Sequence, residues 1–88
     1  MKIKVLLFGK LKDLANRETE LTLEIGAKFA DILGYLANTY GDSFREELSK
    51  MEQYHVLING QYFDPLSDAT TALKDGDIVV ISPPLGGG

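Results

Sequence analysis

The 88 residues leave room for one domain, and a chain this short buries roughly 60–65% of its unfolded surface, a thin core that still suffices without staples. With 44% hydrophobic and 25% charged residues the composition is globular rather than disordered, and the absence of cysteine excludes disulfides, thiolate metal sites and a catalytic thiol. The net charge of −4 is uneven, since residues 51–88 hold only Lys74 against Glu52, Asp64, Asp68, Asp75 and Asp77; this argues against a nucleic-acid backbone as ligand, and reads first as a solvated acidic face and second as a surface suited to a basic partner.

The amino-terminal "KIKVLLF" is a strand, with Ile3, Val5 and Leu7 on one face and Lys2, Lys4, Leu6 and Phe8 on the other. It is too short for a signal core and no small-residue cleavage site follows it. No run approaches the roughly 20 apolar residues of a membrane span, so a cytoplasmic protein with neither membrane nor nucleic acid as partner is expected. "GKLKDLANR" reads as a loop, and "ETELTLEI" as a second strand in which Leu21, Leu23 and Ile25 alternate with Glu20, Thr22 and Glu24. Gly26 breaks it.

From Lys28 the period changes to that of a helix, with Phe29, Ile32, Leu33, Leu36 and Tyr40 forming one apolar stripe and Gly41 ending it. Gly34 inside this helix costs up to about 1 kcal/mol, which predicts close packing against the sheet. "DSFREELSKM" is a second, shorter helix, with Asp42 or Ser43 as N-cap and Phe44 and Leu48 facing inward. Its Glu46-Glu47 pair is expected near the helix start, where carboxylates suit the dipole. "YHVLINGQYF" is a hairpin around Asn59-Gly60. "DPLSDATTALKDGD" is a loop with two apolar anchors, Leu66 and Leu73, and Asp75 and Asp77 flank the turn at Gly76. The last strand, "DIVVIS", places Val79 and Ile81 on one face and Ile78, Val80 and Ser82 on the other.

The order β-β-α-(α)-β-β-β predicts an α+β protein with a β-grasp, or ubiquitin-like, fold: a small mixed sheet with one main helix packed on one face. A ferredoxin-like alternative needs a second long helix before the last strand, where Pro65 and Gly76 interrupt any helical period. Residues 1–82 form the predicted domain and 83–88 a flexible C-terminal tail ending in Gly-Gly.

Most catalytic readings fail for lack of parts. His55 is the only histidine and reads as a polar strand residue, so no metal site is expected. No phosphate-binding glycine motif precedes a helix, so no cofactor is expected on this chain. The ending "ISPPLGGG" is different. Pro83-Pro84 cannot continue a central strand and holds a stiff, extended geometry that sends the chain out in a set direction. Leu85 is an apolar bead on that stalk, and Gly86, Gly87 and Gly88 present a carboxylate with no Cβ to obstruct it. Such a thread can enter a narrow tunnel in another protein and deliver one reactive group there. Leu6, Phe8, Leu57 and Val80 lie opposite the helix-facing set, and predict an apolar patch for a protein partner. The competing expectation is cover by the loop around Leu14 and Leu66.

These residues carry a resemblance. "KVLLFGKLKDLA", "INGQ" and "LKDGDIVVISPPLGGG" resemble the MoaD/ThiS family of ubiquitin-like sulfur carriers, nearest to the small subunits of molybdopterin synthase, over essentially the whole chain. The resemblance implies that Gly88 is adenylated by an ATP-dependent, ubiquitin-activating-type enzyme and converted to a thiocarboxylate. That sulfur then passes to a cofactor precursor on a large catalytic subunit, so the chain itself is a carrier and not an enzyme. ATP is used by the activating partner. Phe8, Leu57 and Ser82 match positions where family members contact these partners, although an aromatic residue often stands where Ser82 does, which shifts the patch toward Val80. Gly86 replaces the commoner Ala or Thr. Three alternatives share this architecture: a donor for thiazole, tRNA or cysteine thiolation, a protein modifier joined through Gly88 to a lysine, and a non-covalent interaction module.

Overall fold

Alternation within strands builds the sheet, and the computed structural model describes residues 1–84 of the chain. The elements are β1 (Lys2–Leu7), α1 (Lys10–Leu14), β2 (Glu18–Thr22), α2 (Phe29–Tyr40), α3 (Asp42–Leu48), a 3-10 turn (Met51–Gln53), β3 (His55–Ile58), β4 (Gln61–Phe63) and β5 (Ile78–Ser82). The five strands form one mixed sheet in the order β2-β1-β5-β3-β4. β1 and β5 run parallel at its centre, with Val5 opposite Val79 and Leu7 opposite Ile81, while the other pairings are antiparallel. This is the β-grasp that the element order predicts.

One face of the sheet is the core. Ile3, Val5, Leu7, Leu21, Val56, Val79 and Ile81 are at most 1% exposed, and each contributes about 1.5–3 kcal/mol by leaving water. α2 lays Phe29, Ile32, Leu36 and Ala37 against them, and the Phe29 and Phe63 rings meet at 5.1 Å between centroids. Its first turn is closed by the Asp31 carboxylate, which accepts the Lys28 N–H at 2.8 Å. α3 adds Phe44 and Leu48 to the same core, with Tyr40 and Phe44 in ring contact at 5.3 Å. The Asn59-Gly60 turn has φ of 53° and 81°, the pair of left-handed residues that a tight antiparallel hairpin requires.

Several expectations are corrected. "GKLKDLANR" is not all loop: Lys10–Leu14 is a single helical turn whose Leu11 is fully buried, too short to show a period among its lysines. β2 stops at Thr22, so Leu23 is only partly buried and Ile25 is 92% exposed, turned outward where Ala27 N–H reaches back to the Glu24 carbonyl. Gly34 is not packed against the sheet, since among the described residues a Cβ there would meet no atom outside its own stretch of helix within 4 Å. Neither Asp42 nor Ser43 caps α3; Gly41 holds the cap position and Asp42 is the first helical residue. Glu46 and Glu47 therefore lie in the last turn of α3, and Glu47 is buried. Leu66 is no anchor at 87% exposed, because its N–H closes a turn onto the Asp64 carboxylate and leaves the side chain outside. Leu73 does anchor the long loop, 6% exposed and bonded through its N–H to the Ala27 carbonyl. Among the described residues no helix is long and apolar enough to cross a membrane.

Candidate functional site

The face of the sheet that carries no helix is built by the other residue parity. Strand register places Leu6 opposite Val80, Val80 opposite Leu57 and Leu57 opposite Tyr62, one apolar row across four strands. The next row brings Phe8 beside Ser82, with Ser82 opposite His55. Leu6, Phe8, Leu57, Val80 and Ser82 are all half-buried, so the structure does bring these predicted residues together on one surface. Tyr62 at 69% exposed and Ile78 at 42% enlarge it. Sequence reasoning left out both, although a two-residue turn at Asn59-Gly60 fixes Tyr62 opposite Leu57. Leu66 does not pack over the patch, which disposes of half the predicted cover, and Leu14 packs toward the core instead.

At one end of this face Phe8, Val80, Ser82 and Pro83 enclose an apolar hollow of about 280 Å³. The Arg17 guanidinium stands 5.6 Å from the centre of the Phe8 ring, a cation over the face of an aromatic at the rim of the hollow. Toward the β2 edge the surface becomes charged, with Lys2 paired to Glu20 at 3.8 Å and Lys4 to Glu18 at 3.9 Å. These pairs are exposed and individually worth little. They mark where the apolar surface stops.

The chain leaves the sheet beside the hollow. Pro83 is half-buried and Pro84 exposed. The Pro83 ring lies against Gly9, where φ is 67° and a Cβ would come within 2.9 Å of Pro83 Cγ. Leu85, Gly86, Gly87 and Gly88 lie outside the described residues.

The acidic second half of the chain has a structural use. Asp64, Asp68, Asp75 and Asp77 all lie in the connection from β4 to β5 and each accepts a backbone N–H, from within that connection or, for Asp75, from Lys2 at the start of β1. Asp77, 8% exposed, also accepts the Asn59 side-chain amide at 2.8 Å and so ties the hairpin turn to the start of β5. The Asp64 carboxyl is held below its ordinary value by the Leu66 N–H and the Ser67 hydroxyl.

A second buried carboxylate lies under α1. Glu47 accepts the Tyr54 hydroxyl and meets Lys50 at 3.5 Å and Lys10 at 3.9 Å. The Tyr54 hydrogen bond holds the Glu47 carboxyl below the usual range, with the two lysines assisting against burial. Burial, then the Glu47 bond and charge, push the Tyr54 phenol up to about 12. This cluster fastens α1, α3 and the entry to β3. His55 is exposed at the start of β3, and among the described residues no three metal-ligating side chains converge.

Comparison with known proteins gives a consistent picture. A model of the ThiS family matches residues 5–88. A molybdopterin synthase sulfur carrier subunit of Chlamydomonas reinhardtii is 37% identical over 91 residues, covering 100% of both chains. One of Drosophila melanogaster is 38% identical over 90 residues, 98% of this chain and 90% of that one. Among solved structures, the small archaeal modifier protein 1 of Methanosarcina acetivorans superimposes with a TM-score of 0.72 at 27% identity, over 99% of this chain and 96% of the other.

Proposed function

This chain belongs to the ThiS family, and from that premise we propose that it is a sulfur carrier whose Gly88 carboxyl is activated, thiolated and used to make molybdopterin. The observation that carries this reading is the reach of the family match, which continues past the last strand through Gly88. A carboxylate is a poor acyl donor until its oxygen is made a leaving group. The Gly88 carboxylate attacks the α-phosphorus of ATP on an activating partner, pyrophosphate leaves, and an acyl-adenylate forms. Hydrosulfide-level sulfur then adds to the acyl carbon and AMP departs, leaving a thiocarboxylate. The thiocarboxylate sulfur bonds to a precursor on a large synthase subunit, and water then cleaves the acyl carbon–sulfur bond, leaving the sulfur on the precursor and returning Gly88 as a carboxylate.

In this scheme the chain supplies a docking surface and an acyl group, while the partners supply ATP and catalysis. Leu6, Phe8, Leu57, Val80 and Ser82 form the surface, with Pro83, Pro84, Leu85, Gly86 and Gly87 as the stalk that carries Gly88 to each partner. The likeness to an archaeal modifier protein favours one second reading, in which the activated Gly88 forms an isopeptide bond with a lysine. Both readings share the activation step and part at the acceptor.

The test is mass spectrometry after incubation with ATP, a cognate activating enzyme and a sulfide source. The expected product is about 16 Da heavier, localised to the C-terminal peptide, as sulfur replaces one oxygen by attack on the activated acyl group. Removing Gly87-Gly88 abolishes the change without lowering thermal stability, because the buried core ends at Ile81. An unmodified full-length chain with a proven cognate enzyme overturns the proposal, and lysine-linked conjugates in place of thiocarboxylate select the second reading.

A further inference from the structure

The Gly88 reading leaves open how the stalk is aimed, and the geometry at the far end of β1 bears on it. β1 and β5 stay in register to their last residues, where Phe8 N–H donates to the Ile81 carbonyl at 3.1 Å. One residue later the chain turns at Gly9 with φ 67° and ψ −142°, a combination essentially closed to residues with a Cβ. This turn brings the Gly9 backbone against the Pro83 ring, so that a Cβ would lie 2.9 Å from Cγ and 3.1 Å from Cδ. A proline ring is fused to its own backbone and cannot rotate aside as a free side chain does. Anything added at Gly9 must therefore move the chain at Pro83.

The remaining left-handed glycines provide a contrast. Gly26, Gly41, Gly60 and Gly76 also have positive φ, yet among the described residues a Cβ on any of them would meet no atom beyond its chain neighbours within 4 Å. Their role is the turn alone. At Gly9 the turn is also a contact surface, and what it contacts is the first residue of the stalk.

We propose that Gly9 is a positioning residue: its Cβ-free turn is the seat of Pro83 and sets the heading with which Pro83-Pro84 leaves the sheet. The proposal rests on Gly88 being the reacting residue, because the heading at Pro83 determines where the remaining residues begin their reach toward a partner's active site. The five residues after Pro83, fully extended, span at most about 18 Å, so little spare length is left to absorb a tilt at the root. Gly9 acts on the reaction only through Pro83.

The experiment compares Gly9→Ala with Gly26→Ala. Both put a Cβ on a backbone with positive φ and lose thermal stability, Gly9→Ala the more, but only the first presses on Pro83. The maximal rate of Gly88 adenylation by the activating enzyme falls about tenfold or more in Gly9→Ala, as expected when a reacting group is displaced by about 1 Å, and stays within about twofold in Gly26→Ala. The Pro83 ring proton resonances of the isolated protein move in Gly9→Ala alone. Pro83→Ala, which leaves the Gly9 turn unstrained, removes the same contact from the other side and also lowers the maximal rate, should Gly9→Ala not fold. Equal rate losses in the two glycine variants overturn the proposal, as does a full-rate Gly9→Ala. If wild-type Gly88 is never adenylated, the proposed function fails, and the Pro83 resonances then decide the seat: unmoved in Gly9→Ala, they overturn it.

Discussion

The two faces of the sheet are made from the same strands and nearly the same residue types, yet they have opposite fates. On the covered face Ile3, Val5 and Leu7 are wholly buried beneath α2 and α3, whereas their neighbours Leu6 and Phe8 stay half-buried. In β5 the division repeats, with Val79 and Ile81 enclosed and Val80 and Ser82 open. Hydrophobicity therefore does not decide which face is core here. What distinguishes the faces is that this chain supplies a covering layer for one and not for the other. The first face is an account of stability and the second, under the proposed function, of recognition, and substitutions on each separate those two quantities.

The largest expected effect is on the covered face. Leu7→Ala removes a fully buried side chain and leaves a cavity, costing about 2–5 kcal/mol, a large part of what a domain of this size has. Urea unfolding measures it. A loss below 1 kcal/mol would mean that the core can collapse onto the gap, and the contrast between faces would blur.

The matching change one residue parity away is Leu57→Asp on the open face. It leaves the urea midpoint close to wild type but weakens binding to an activating enzyme or large subunit by 2 kcal/mol or more, roughly thirtyfold, the scale of an interface anchor. Phe8→Arg behaves alike. Titration calorimetry reads the binding and circular dichroism the fold. If both variants unfold, the open face is core after all.

This division into faces is legible in the sequence because strand alternation has a period of two, and one residue fixes the parity of the rest. Leu21, Phe29, Ile32, Leu36, Phe44, Val79 and Ile81 all follow from periodicity. Ile25 and Leu66 do not, since their exposure is decided by turns at Gly26 and Asp64, where apolar character says nothing about direction. Gly9 was invisible for another reason. Its partner Pro83 lies at the opposite end of the chain, and no local pattern announces a contact between them. Glu47 falls in the last turn rather than near the start because the helix ends at Leu48, which puts the carboxylate within reach of Tyr54 across the following bend.

That misplaced carboxylate sharpens the comparison in a third way, since it holds the covered side together through charge rather than apolar area. Glu47 has its folded pKa lowered, so its contribution is present above the ordinary carboxylate range and is lost as pH falls through the lowered value. Tyr54 has its pKa raised to about 12, so its contribution is complete below the ordinary phenol value and is lost as pH rises through about 12. Tyr54→Phe removes the main cause of the Glu47 shift. The carboxyl carbon resonance of Glu47 then titrates at higher pH, and the acid limb of urea stability moves up with it. Unaltered titration would assign the shift to Lys50 and Lys10 instead.

The smallest effect lies on the outer side of the covering layer, at Gly34. A glycine within a helix costs about 0.5–1 kcal/mol relative to alanine, because its backbone loses more freedom on folding. Close packing against the sheet would offset that cost, but among the described residues no atom outside its own stretch of helix lies within 4 Å of where its Cβ would be. Gly34→Ala is therefore stabilising here, raising the melting temperature by roughly 3–7 °C for a domain of this size. The open-face surface of β1, β3 and β5 is on the other side of the sheet, so partner binding stays unchanged. Differential scanning calorimetry checks the first part and the Leu57→Asp binding assay the second. A destabilised Gly34→Ala would show that a neighbour reaches this position after all, whereas a stabilised variant that binds less well would place part of the partner contact on α2 and end the simple separation of the two faces.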